Sequence, residues 1–92
     1  MTYPEVLMFI DGEWCKGSSG KSQPIINPAT GESMGDVPHA SREDLDRALA
    51  AADRGHHAWS KVSAFDRYKI MRKAADLFRQ RADEIARAMT ME

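Results

Sequence analysis

Cysteine is nearly absent: Cys15 is the only one in 92 residues. No internal disulfide can form, so no oxidised framework holds the chain, and a reducing compartment, the cytoplasm, is the expected location. Long apolar runs are missing too. The longest, residues 6–10, is five residues, far short of the roughly 20 that span a bilayer or the roughly 7–15 of a signal-peptide core. Net charge is almost nil: 13 Lys and Arg against 14 Asp and Glu leave −1. Such a balance gives no reason to expect polyanion binding, so neither nucleic acid nor membrane is an expected partner. Also absent are a Ser-His-Asp arrangement, a paired-carboxylate motif and a Gly-rich dinucleotide fingerprint. What remains is 42% apolar and 29% charged, ordinary composition for one small globular unit.

Proline and glycine divide the chain. Residues 1–38 hold all four prolines and five of six glycines; only Gly55 follows. The first part therefore reads as strands and turns, the second as helices. Charge divides similarly, with residues 1–60 at −4 and residues 61–92 at +3. Residues 6–10 are β-prone, Asp11-Gly12 is a hairpin turn signal, and residues 13–16 form the return strand. Residues 17–22 read as a loop, 24–27 as a strand, 28–31 as a turn and 33–37 as a second return strand ended by Pro38. Asn27, Pro28 and Gly31 supply the chemistry of that turn. Ser41 with Asp44 marks a helix start in the capping-box pattern, Asp standing where Glu or Gln is usual. Leu45, Ala48, Leu49, Ala52 and Trp59 follow at helical spacing, Glu43 and Arg47 form an i,i+4 pair, and residues 55–57 fall in the last turns. Ser63 starts a second helix. Its stripe is Ile70, Met71, Ala74, Leu77, Phe78, Ala82, Ile85 and Met89, with an interruption expected near Arg81.

No Gly, Asn or Pro stops this second helix before Glu92, so the pattern is expected to continue into a longer protein. Size supports that expectation. Ordering costs about 1–2 kcal/mol of backbone entropy per residue, and two hairpins with two one-sided helices need a partner layer.

The residues that catch a chemist's eye have plain structural readings. Gly17-Ser-Ser-Gly-Lys21-Ser22 has two residues between its glycines where a phosphate loop has four, and it leads into a strand, not a helix. A catalytic thiol needs a His, a cation or a helix N-terminus to lower its pKa; Cys15 lies in an expected strand between Trp14 and Lys16, where packing or simple exposure is the plain reading. His56 and His57 point about 100° apart on a helix; Asp53 and His57 share a face but are too few for a closed zinc site. Arg67, Lys69, Arg72, Lys73, Arg79 and Arg81 are interleaved with Asp66, Asp76, Asp83 and Glu84, the pattern of a solvated helix face. These residues predict no active site, and no catalytic or cofactor-binding residue is assigned.

The ordered set of motifs nevertheless resembles the N-terminal region of the aldehyde dehydrogenase superfamily. It comprises Phe9-Ile-Asp-Gly-Glu-Trp14, Ile26-Asn-Pro-Ala-Thr-Gly-Glu32, Val37-Pro-His-Ala-Ser41, Asp44-Leu-Asp-Arg-Ala-Leu-Ala-Ala-Ala52, Trp59, Arg67, Ala74-Ala-Asp-Leu77, Arg81-Ala-Asp-Glu-Ile-Ala86 and Met89-Thr-Met-Glu92. The resemblance implies an α+β fragment, two N-terminal β-hairpins followed by two amphipathic helices, within an α/β aldehyde dehydrogenase fold. Residues 1–92 would be one segment, with hairpins and turns in 1–38 and helices in 41–92, forming the N-terminal part of a cofactor-binding domain. The parent would bind NAD or NADP and oxidise a small aldehyde to an acid through a cysteine thiohemiacetal. All catalytic and cofactor groups would lie downstream, so no cofactor is expected on the fragment. The partners implied are the remainder of the same chain or other subunits of a homo-oligomer. One site would reach this region: the backbone carbonyl of Ile26, just before the Asn-Pro-x-Thr-Gly turn, matches a monovalent-cation ligand of many members. The stretches Pro38-His-Ala-Ser41 and Met71-Arg-Lys-Ala-Ala-Asp76 look closest to dehydrogenases of dicarboxylic semialdehydes, such as succinic or 2-oxoglutaric semialdehyde. The alternative is a free-standing, non-enzymatic α+β interaction module.

Expressed alone, residues 1–92 are expected to be poorly soluble, loosely packed or oligomeric. Calorimetry with size-exclusion chromatography checks this, and a sharp cooperative melt of a monomer counts against it.

Overall fold

A computed structural model describes residues 3–92. Four strands precede three helices: β1 (Met8–Ile10), β2 (Glu13–Cys15), β3 (Ser22–Ile26), β4 (Ser33–Pro38), α1 (Arg42–Ser60), α2 (Ala64–Gln80) and α3 (Ala82–Met91). The strands form two separate antiparallel pairs, β1 with β2 and β3 with β4. This is the expected pair of hairpins, and each turn follows from its residues. Asp11 and Gly12 both take positive φ, 54° and 79°, as a type I′ turn requires, and pair Ile10 with Glu13 across it. At the second turn Asn27 Oδ1 accepts from the Ala29 N–H at 2.9 Å, and the Gly31 N–H donates to the Asn27 carbonyl at 2.8 Å. That side-chain bond draws Asn27 out of the strand in which its sequence context places it.

β3 begins two residues earlier than its sequence suggests, because Ser22 and Gln23 pair with Pro38 and Val37. Pro38 therefore belongs to β4, at the end of the ladder, where its missing N–H costs least. Ile25 pairs with Gly35 but Ile26 with Ser33, so Met34 is the extra residue of a bulge.

α1 opens on a reciprocal capping box. The Asp44 N–H donates to Ser41 Oγ at 3.1 Å, and the Ser41 N–H donates back to Asp44 Oδ2 at 2.9 Å. Arg47 pairs with this Asp44 at 3.7 Å and not with Glu43, because the carboxylate one turn back is already fixed in place by the box. α2 opens on Ser63, whose Oγ accepts from the Asp66 N–H. The long second helix is divided where interruption was expected: Arg81 has ψ of 14° and ends α2, and α3 resumes at Ala82. Residues 64–91 are thus two helices, not one.

The layers are few. The segment measures 47 × 35 × 15 Å with a radius of gyration of 16.7 Å, against about 12 Å for a compact chain of this length. Packing between elements is concentrated within each hairpin and between β1 and α1. There Phe9 and Ile10 face Ala48, Ala51 and Ala52 across a shallow cleft, with Arg54 and Asp11 paired at 3.1 Å on its rim. Among the described residues no apolar side chain is buried. Leu49 is 70% exposed and Phe78 66%, so the helical stripes form as spaced but lie uncovered.

Gly12→Val should weaken the first hairpin by about 1 kcal/mol or more, since a β-branched residue at φ 79° is strained. A parallel Gly31→Val at φ 74° should do the same to the second. Thermal melts of the protein carrying each variant check both.

Candidate functional site: the Asp44 junction

The one buried residue of the described chain is polar: Asp44, 3% exposed. Its position follows from two local facts. As the third residue of α1 it faces back to Ser41, which the capping box requires. The loop between the hairpins then folds over it. The Ser18 N–H donates to Asp44 Oδ2 at 2.9 Å, the same oxygen that accepts from Ser41 N–H, and the Ser18 and Ser41 hydroxyls bond each other. Gly17 permits this approach, because a Cβ there would collide with the His39 carbonyl oxygen. Arg47 completes the cluster, with Nη2 3.7 Å from Asp44 Oδ1 and donating to Cys15 Sγ at 3.6 Å. Strand β2, the loop, the end of the second hairpin and α1 thus meet at one carboxylate. Bonds from the Ser41 and Ser18 amides favour its charged form and hold its pKa down, at about 2, against a smaller opposing effect of burial.

This arrangement positions elements. Asp44 is held ionised, with two amide donors on Oδ2 and the Arg47 guanidinium beside Oδ1. In the glycine loop of residues 17–22, Ser18 N–H serves Asp44, Gly20 N–H serves the Gly17 carbonyl and Lys21 N–H serves Ser19 Oγ. The cleft of about 400 Å³ beside this loop carries Lys16 and Lys21 but also Glu5 and Asp36.

Of the other candidates, Cys15 is a half-buried free thiol in β2 that reaches the junction through Arg47, and the rest stand apart. His56 and His57 lie on α1; the His57 Nδ1–H donates to the Asp53 carbonyl at 2.8 Å, an ordinary helix-surface bond. His39 Nε2 meets Gln23 Oε1 at 3.0 Å across the second hairpin. The described residues contain no group of three or more His, Cys, Asp or Glu placed to hold a metal. Lys69 pairs with Asp66, and Arg72 and Arg79 with Asp76, so the basic residues of α2 include several compensated by neighbours. Ile26 ends β3 at the bulge, 48% exposed. The sequence marked Asp44 as a cap but gave no sign of Ser18, Gly17 or Cys15 as its neighbours. A contact spanning 26 residues has no local signature.

The sequence model of the family described as aldehyde dehydrogenase matches residues 14–92. Among solved structures, the chain is similar to one assigned as a methylmalonate-semialdehyde dehydrogenase of Sinorhizobium meliloti, complexed with NAD. It shares 35% identity over all of this chain and 18% of that one, with a TM-score of 0.89. A betaine aldehyde dehydrogenase of Staphylococcus aureus, in complex with NAD+, matches at 34% identity over 90% of this chain and 17% of that one, TM-score 0.83. An aldehyde dehydrogenase of Bacillus cereus matches at 32% over 94% and 18%, TM-score 0.84. The chain spans less than a fifth of the length of each.

Because the folded pKa of Asp44 lies below its unfolded value, the junction's contribution is complete above about pH 4 and is lost as pH falls through about 2. Carbon-13 NMR of the carboxyl, followed with the Ser18 amide shift, checks this. Both should titrate together, and Asp44→Ala should abolish the Ser18 shift while Asp46→Ala leaves it.

Proposed function

The chain belongs to the aldehyde dehydrogenase family, and we propose that it serves there as the N-terminal scaffold of an NAD(P)-dependent enzyme that oxidises an aldehyde to a carboxylic acid. The observation that carries this reading is the match of the whole α+β arrangement to an NAD-complexed family member at a TM-score of 0.89 and 35% identity. In the proposed enzyme a cysteine thiolate attacks the aldehyde and the resulting thiohemiacetal is oxidised. The dinucleotide would accept hydride when bound. None of that chemistry falls to the described residues. The glycine loop lacks the spacing of a phosphate loop and uses the Ser18, Gly20 and Lys21 amides internally, and the Cys15 thiol faces Arg47.

What these residues do is hold shape. The hairpins are fixed to α1 through Asp44, and the helices offer apolar stripes to a covering layer. That layer, in our reading, is the rest of the cofactor-binding domain. A cytoplasmic location and homo-oligomeric assembly belong to the same proposal. So does a semialdehyde substrate, which the S. meliloti neighbour's assignment supports. We also propose Ile26 as one backbone ligand of a monovalent cation, with its carbonyl at the bulge-bent end of β3. A midpoint of thermal unfolding that ignores exchange of potassium or sodium for a bulky organic cation would count against that ligand.

The enzymatic reading is tested with the full-length protein. It should reduce NAD or NADP only when an aldehyde is present, with semialdehydes among the better substrates, whereas purified residues 1–92 should show no turnover. Absence of aldehyde-dependent reduction across a broad panel overturns the reading, and turnover by the 92-residue segment overturns the scaffold role.

A further inference from the structure

On α2 the apolar stripe has a charged member. Arg67, Ile70, Met71 and Ala74 stand at i, i+3, i+4 and i+7, which is one helix face. Ile70 and Met71 are exposed and Ala74 is half-buried. Arg67 itself is half-buried, and its Nε–H is screened from solvent without an acceptor among the described residues. Of the other cations of this helix, Lys69 reaches Asp66, and Arg72 and Arg79 reach Asp76, all from outside the stripe, and Lys73 is exposed. Arg67 thus occupies a position that any covering layer would bury, with no carboxylate of α2 serving it. A guanidinium buried among apolar side chains is costly unless an opposite charge meets it.

We propose that Arg67 is a docking residue, completed by an Asp or Glu carboxylate from the polypeptide that covers the α2 stripe in the assembled enzyme. The proposal rests on the aldehyde dehydrogenase reading, which supplies the covering polypeptide: the matched chain of the S. meliloti neighbour is more than five times as long as its matched part. Charge complementarity favours an acid, because residues 61–92 carry +3. A planar guanidinium selects a carboxylate by bidentate bonding.

The full-length protein provides the test. Its crystal structure should place a carboxylate oxygen from outside residues 1–92 about 3 Å from the Arg67 guanidinium. Arg67→Met keeps the length of the side chain but removes its charge. It should speed hydrogen exchange of the α2 amides by roughly 10- to 100-fold, as expected for one lost charged hydrogen bond. Arg67→Lys should have a smaller effect, and Arg72→Met, at the solvated pair with Asp76, almost none. An Arg67 head group left in solvent, or bound to carbonyls alone, overturns the proposal; so does wild-type exchange in Arg67→Met. The wild-type structure decides the matter even where Arg67→Met fails to fold. Aldehyde oxidation by the wild-type protein reports separately on the family reading.

Discussion

Two backbone amides separated by 23 residues, those of Ser18 and Ser41, converge on a single oxygen of Asp44. The rest of the segment is arranged around that convergence. Without a buried apolar residue among those described, the usual dominant force of folding does little between these elements. Hydrogen bonds set the hairpins against α1 in its place. Burial makes such bonds consequential, because a screened carboxylate stripped of its donors is expensive. Gly17 is part of the same constraint: it lets the loop lie against His39 and so brings Ser18 within reach.

The consequence is a scaffold with one finished joint and several unfinished faces. At 15 Å thick the segment is about one layer, whereas stable domains pack two or three. The stripes on α1, α2 and α3 are each built for burial and each exposed. In the proposed enzyme those faces are the inner surface of a larger domain. Arg67 sharpens the picture, since a charge set into an apolar stripe specifies which neighbour fits as well as that one is needed.

Local chemistry made much of the segment legible. Asp11-Gly12 announced the first turn, Asn27 and Gly31 the second, Ser41 and Ser63 the helix starts, and each signal acts within four residues. Strand limits were less legible. Ser22 and Pro38 join the ladder only because they face each other, and pairing is not encoded in either strand alone. Arg47 was expected to pair with Glu43; it turned to Asp44 because a fixed, partly desolvated carboxylate outcompetes a solvated one. The candidate site was the least legible part. Its cap appeared in the pattern, but the loop that closes over it did not.

The sequence by itself determined the elements, their order and their apolar faces, because turns, caps and periodicity are short-range. Only the tertiary structure decided that Ser18, Gly17, Cys15 and Arg47 gather at Asp44 and that Arg67 keeps a screened N–H without an acceptor. Those facts depend on where distant backbones come to rest, and a hydrogen bond across 26 residues is set by three-dimensional approach, for which one-dimensional spacing carries no signal.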